Sequence, residues 1–175
     1  HTANQTAAGL QTRDQAKTFI YAFLYGAGDA KIGSVVGGSA AHGKKLKAAF
    51  LENTPALAKL RSETMADAET GFLTGLDGRR IRVRSQHAAL NTLLQGAGAV
   101  VMKQAIVILY DLLARVDFKL VAQVHDEWQI ECKPDEADFI GKSCVNSMIF
   151  AGELLSLNCP LDGQYKIGKN WAETH

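Results

Sequence analysis

Apolar positions recur along this chain with the period of a helix in some stretches and of a strand in others. Residues 2–9 are compatible with a helix that stops at Gly9. Thr12 followed three residues later by Gln15 is a capping-box pattern, in which hydroxyl and amide satisfy the free N–H groups of a new helix. The helix it opens is predicted over 13–25, with a break at Gly26-Ala27-Gly28. A short helix over 29–36 ends at Gly37-Gly38, and Ser39 caps another through residue 53. Thr54-Pro55 then restarts the chain as N-cap and first helical residue, continuing to 69 with Gly71 as the stop.

Strand-like patterning follows. Residues 72–74 and 80–84 flank Gly75-Leu76-Asp77-Gly78, whose Asp-Gly pair is a strong hairpin signal. Ser85 opens a long helix to 115. Residues 118–124 and 128–132 have strand composition and flank His125-Asp126-Glu127, which makes a second hairpin. Pro134 starts a final helix to 155, and 162–175 is rich in turn residues. With no internal repeat, low-complexity tract or flexible linker, the pattern predicts one continuous unit of α+β class.

Composition narrows the classes. A chain of 175 residues, 47% hydrophobic and 21% charged, supports a sizeable core and is neither disordered nor fibrous. Its net charge of +1 decides nothing about nucleic acid, since a basic face can be balanced by acidic residues elsewhere. Cys132, Cys144 and Cys159 are odd in number and form no CxxC pair, so neither a disulfide framework nor a zinc site is indicated. A reducing, cytoplasmic setting is expected. The most membrane-like stretch, 88–116, contains Asn91, Gln95, Lys103, Gln104, Asp111 and Arg115, which are costly in lipid. It reads as a buried helix, with no membrane partner. No signal peptide opens the chain and position 1 is His, so further chain upstream is expected.

Arg13, Lys17, Tyr21 and Tyr25 recur every four residues. Four residues advance a helix by about 400°, so each lies about 40° from the last and the set forms one slowly turning stripe. Cations near a helix N-terminus attract phosphate and aromatic faces stack bases, so the stripe suits a nucleoside triphosphate. From spacing alone, a solvated basic turn followed by core tyrosines accounts for it as well or better. Arg79, Arg80, Arg82 and Arg84 crowd one strand, and Arg80, Arg82 and Arg84 share a face, as a phosphate-backbone contact would require. An ordinary solvated hairpin explains them equally. Lys44, Lys45 and Lys47 read as a solvated helix face. His125-Asp126-Glu127 places two carboxylates and an imidazole at a hairpin tip, an arrangement useful to phosphoryl transfer with divalent cations. For any such tripeptide, a turn that merely stays wet is the commoner meaning.

The motifs around these residues carry a resemblance. Arg13 to Gly26 resembles the fingers-helix motif RxxxKxxx[FY]xxxYG of family A DNA polymerases, with most similarity to replicative enzymes of short-tailed bacteriophages. Val121-Ala122-Gln123-Val124-His125-Asp126-Glu127 resembles the family's palm motif. The resemblance implies a right-hand polymerase, with a helical fingers-type region over 1–70 and a palm-type region over 71–175 that includes part of an antiparallel sheet. It implies that Arg13 and Lys17 bind the incoming dNTP and that Tyr21 packs on its sugar and base. Tyr25 would sit at the template position, and His1 would add a phosphate contact. Tyr rather than Phe at 21 implies acceptance of dideoxynucleotides.

Asp126 and Glu127 are implied as metal residues holding two Mg2+ ions, catalytic together with Lys17, with His125 touching the primer terminus. The segment from His87 to Gly96 is similar to the one that supplies primer-template DNA contacts, which implies that task for His87, Asn91 and Gln95. On spacing alone, Asn91 and Gln95 are more commonly buried polar side chains bonding their neighbours. Gly168-Lys169-Asn170-Trp171 is similar to the end of these phage enzymes, with Trp171 as a packing anchor. One element of the pattern is missing: no DxSxxE-like stretch with a second metal-binding Asp precedes the fingers helix. The chain by itself is therefore expected to be catalytically deficient, and to act with an upstream polymerase segment in cis or in trans. A non-catalytic nucleic-acid-binding module and a metal-dependent nuclease using Asp126 and Glu127 are the rival readings.

Overall fold

Thr12 starts a helix as its spacing predicts: its hydroxyl accepts from the Gln15 N–H at 3.1 Å, and the Gln15 side-chain oxygen accepts from the Thr12 N–H at 3.4 Å. The computed structural model describes residues 2–175, so the phosphate contact expected of His1 lies outside the described residues. The elements run α1 (Thr2–Ala8), α2 (Arg13–Leu24), α3 (Asp29–Val35), α4 (Ala40–Glu52), α5 (Pro55–Asp67), β1 (Phe72–Thr74), β2 (Arg80–Arg82), α6 (Ala89–Leu112), β3 (Phe118–Val124), β4 (Glu127–Cys132), α7 (Ala137–Leu154) and α8 (Trp171–Thr174). Where the pattern predicts one continuous unit, the chain divides into two, one up to Gln95 and one from Gly96 onward. Among the described residues each hairpin pairs only with itself, giving two separate two-stranded sheets rather than one continuous sheet.

In the first unit, Phe19, Ile20 and Phe23 of α2 pack with Ile32 of α3 and with Leu46 and Phe50 of α4. Phe50 meets Phe19 edge-on at 5.1 Å and Phe23 at 5.3 Å. Lys47 departs from the solvated face expected of it: its Nζ lies 2.7 Å from the Asp29 carboxylate and donates to the Ala27 carbonyl at 3.4 Å. That pairing holds the Asp29 carboxyl below its ordinary range. Lys44 and Lys45 stay exposed. Thr54 and Pro55 take the N-cap and first helical positions of α5 as expected, but the Thr54 side chain makes no cap bond there. Its hydroxyl donates to the Phe50 carbonyl at 2.6 Å instead, closing the end of α4.

The start of α6 also differs from expectation, because Gln86–Ala88 forms a single tighter turn before the helix begins at Ala89. That turn meets the end of α2. Gly26 has φ +76°, and a Cβ there would stand 2.4 Å from the His87 carbonyl oxygen.

In the second unit, Leu109 and Leu113 pack on Ile140 of α7, with Phe118, Trp128 and Ile130 of the hairpin around them. The register shifts between Leu120 and Ala122, leaving Val121 bulged outward and 63% exposed. The final helix begins at Ala137 rather than Pro134, because the Glu136 N–H bonds the Lys133 carbonyl in a turn. Tyr165 lies on α7 where Gly141 leaves room; a Cβ at 141 would stand 2.3 Å from its ring. Its hydroxyl donates to Asp138 at 2.6 Å, and Lys142 lies 2.5 Å from the same carboxylate.

The buried helix expected over 88–116 is not what is found. Only 17% of the most apolar window of 86–112 is buried, and Val107, Tyr110 and Leu112 are exposed. By length and composition alone that helix could cross a membrane.

Two outcomes follow for stability. Gly26→Ala should cost about 1–3 kcal/mol in urea unfolding, from strain at positive φ and collision with the His87 carbonyl. Asp138 has its folded pKa lowered, first by the Lys142 hydrogen bond and then by Tyr165, so its contribution is present above the ordinary carboxylate value and lost as pH falls through the folded one. Tyr165 and Lys142 have theirs raised, chiefly by hydrogen bonding to Asp138, so their contribution is present at neutral pH and lost as pH rises through the folded values. The protection of residues 161–167 against amide exchange, relative to the unfolded chain at the same pH, should therefore be greatest near neutral pH and fall on both sides, and Asp138→Asn should remove both limbs.

Candidate functional site

The buried face of α2 decides which side chains it offers to solvent. With Ala16, Phe19, Ile20 and Phe23 turned into the core, Arg13, Lys17, Tyr21 and Tyr25 are all exposed along the opposite face. Tyr21 and Tyr25 remain 47% and 56% exposed, so the alternative of core tyrosines is not what the structure adopts. Their rings stack on each other at 6.4 Å and 20°. Arg13 is the first helical residue and Lys17 stands one turn on, and neither makes an ion pair among the described residues. Cations at a helix N-terminus oppose the helix dipole, so the arrangement disfavours the helix itself while adding two fields that attract the same anion.

Further along the first unit, Thr74 pairs with Arg80 and Phe72 with Arg82 across β1 and β2. Arg80 and Arg82 share the exposed face, whereas Arg84 lies beyond the strand in a bend, also exposed. Arg79 is neutralised by Asp77 within the turn, and Arg80 lies over the Phe72 ring at 4.1 Å. Arg82 and Arg84 make no ion pair among the described residues. His87 sits in the turn before α6, with Asn91 and Gln95 one and two helical turns on. His87 and Gln95 are exposed and Asn91 is half-buried.

The carboxylates belong to the second unit. Val124 pairs with Glu127, so His125 and Asp126 form the two-residue turn between β3 and β4. His125 has φ 55°, a left-handed conformation uncommon for a residue with a Cβ. Asp126 is exposed and makes no hydrogen bond or ion pair among the described residues. Glu127 is engaged: the Gln129 amide donates to its Oε1, and His175 Nδ1 lies 3.1 Å from its Oε2. These contacts hold its carboxyl below the ordinary range, Gln129 contributing most, with His175 and then Trp171 adding to it against partial desolvation. Trp171, expected as a packing anchor, is 48% exposed and meets His175 edge-on at 6.4 Å.

Sequence reasoning did not find Gln129, Thr174 or His175 as neighbours of the hairpin. The period of a strand could have pointed to Gln129, two residues from Glu127 on the same face, but nothing local points to His175, which is 48 residues away. Among the described residues no group of three or more His, Cys, Asp or Glu gathers as a metal centre. Asp126 therefore provides one open carboxylate, short of a complete ligand set for a hard divalent cation.

The sequence profile of DNA polymerase family A matches residues 2–173. The chain is 44% identical over 199 aligned residues to a DNA-directed DNA polymerase of Enterobacteria phage T3, covering 100% of this chain and 28% of that protein. It is 45% identical over 184 residues to a DNA-directed DNA polymerase of Escherichia phage Phieco32, covering 100% of the chain and 30% of the relative. It thus spans under a third of the length of these curated relatives. A solved structure described as the POL domain of Pol1 from M. smegmatis, in complex with DNA primer-template and dNTP, superposes with TM-score 0.75 at 19% identity, over 85% of this chain and 30% of that one. The fold is accordingly the α+β fold of a family A polymerase domain, mostly helical with small antiparallel hairpins. With a family profile matched over nearly its whole length, the chain belongs to DNA polymerase family A.

Proposed function

We propose that this chain is the nucleotide- and DNA-gripping part of a template-directed DNA polymerase, which adds dNTPs to a primer 3′ end. The observation that carries this reading is the exposed stripe of Arg13, Lys17, Tyr21 and Tyr25 on α2, two cations followed by two stacked phenols. Arg13 and Lys17 neutralise the triphosphate, and the Lys17 ammonium, a compact point charge, stands by the phosphate oxygens that gain charge as the α-phosphate is attacked. Tyr21 presents its ring to the sugar and base, and Tyr25 shapes the template side. Arg80, Arg82 and Arg84, with His87, Asn91 and Gln95, grip primer-template DNA without reading its sequence, and His125 approaches the primer terminus.

Asp126 contributes one metal-binding carboxylate, and a second Asp comes from an upstream polymerase segment in cis or in trans. Two Mg2+ ions, when bound, would activate the primer hydroxyl and stabilise the leaving pyrophosphate. The absence of a three-ligand cluster among the described residues supports this division between segments. The setting is the cytoplasm, that of the host cell where the gene is carried by a phage. The same absence supports a second reading, a binding module that keeps the grip and lacks the chemistry. Supplying the upstream segment in trans separates the two: restored primer extension favours the polymerase, and continued silence the module.

Two measurements test the site. Lys17→Ala should weaken dNTP binding to the chain about tenfold or more by calorimetry, and equal affinity would count against the assignment. With the upstream segment supplied, Asp126→Asn should lower the rate of primer extension about a hundredfold or more, and an unchanged rate would remove Asp126 from the mechanism.

A further inference from the structure

Asp126 and Glu127 are adjacent carboxylates with opposite surroundings. Asp126 is open to solvent, whereas both oxygens of Glu127 already have partners, Gln129 at Oε1 and His175 at Oε2. Gln129 in turn accepts from the Thr174 hydroxyl at 3.2 Å. Because Thr174 and His175 are neighbours in the chain, the four side chains close a ring, with Glu127 and Gln129 on one face of β4 and the other pair in and beside α8. The segment that brings them is itself well tied. Asn170 caps α8 by accepting from the Glu173 N–H at 3.2 Å, and the Glu173 carboxylate accepts from the Lys169 N–H at 2.8 Å and the Asn170 amide at 3.0 Å. Segment 168–175 is therefore a folded clip rather than a loose strand.

We propose that Glu127 is a positioning residue and not a cation ligand: together with Gln129 it clasps Thr174 and His175, so that segment 168–175 braces the hairpin tip on which Asp126 stands. A two-stranded hairpin is marginal by itself, and an added contact near its turn limits the excursions of that turn. A cation drawn to Glu127 would compete with hydrogen-bond partners already placed at both oxygens, whereas Asp126 has no such partner among the described residues. The link to catalysis rests on the role of Asp126 proposed above, while the clasp itself stands on contacts within the second unit.

The test uses the full chain, without nucleotide or DNA. Glu127→Ala and His175→Ala should each quicken amide exchange at residues 127–129 and 171–175 about tenfold, leave α2 and α7 unchanged, and be no worse combined than singly. His175→Asn, which keeps a donor near the Nδ1 position, should restore most of the protection. Added Mn2+ should broaden the NMR signals of the hairpin tip in the wild-type chain and equally in Glu127→Gln. Loss of that broadening in Glu127→Gln would overturn the proposal, and so would unchanged exchange in both alanine variants. Should Mn2+ not broaden the wild-type chain, the exchange measurement alone decides. Broadening that survives Asp126→Asn, with exchange still coupled, would remove the proposed metal role of Asp126 while leaving the clasp intact.

Discussion

The contact between Phe19, Phe23 and Phe50 fixes the rotation of α2 about its own axis, and most of what the first unit offers to a ligand depends on it. Phe19 has no exposed surface and meets Phe50 edge-on, an arrangement aromatic rings favour over face-to-face stacking. A helix pinned by an apolar stripe on one side has its opposite side chosen for it. Arg13, Lys17, Tyr21 and Tyr25 face solvent because the phenylalanines and Ala16 do not. Turning the helix by one residue would bury a cation and expose a phenyl ring, and both changes are unfavourable.

The same helix is fixed at both ends by backbone geometry. The capping box at Thr12 and Gln15 sets where it begins, and so where Arg13 stands relative to the first free N–H groups. Gly26 sets where it ends. Its positive φ and the nearness of the His87 carbonyl bring the end of the α2 stripe against the segment carrying His87, Asn91 and Gln95. Two groups of site residues that are 60 or more positions apart in sequence are thereby joined through a single residue without a side chain.

In the second unit the comparable constraint is the hairpin turn, where His125 takes up a left-handed conformation so that two residues suffice to reverse the chain. Strain of this kind persists only where surrounding contacts hold it, and those around β4 come from residues as distant as Thr174 and His175. The outward face of α6 is less provided for. Val107, Tyr110 and Leu112 stay exposed.

Local chemistry was legible in the sequence wherever a residue's meaning depends on its near neighbours. The capping box, the Ser39 cap, the Asp77-Gly78 turn and the span of β3 follow from pairs a few residues apart, and the structure adopts them. The stripe on α2 and the carboxylates at the second hairpin tip were equally readable, because helix and strand periods fix which side chains share a face. Contacts across the chain were not readable. Whether the tyrosines of α2 would be buried or exposed, that Lys47 would turn inward to Asp29, and that α6 would go largely uncovered all depended on what packs against them. Nor does any local pattern separate Asp126 from Glu127, which are adjacent and chemically alike. The fold distinguishes them by returning residues 171–175 to the hairpin, engaging one carboxylate and leaving the other open to solvent.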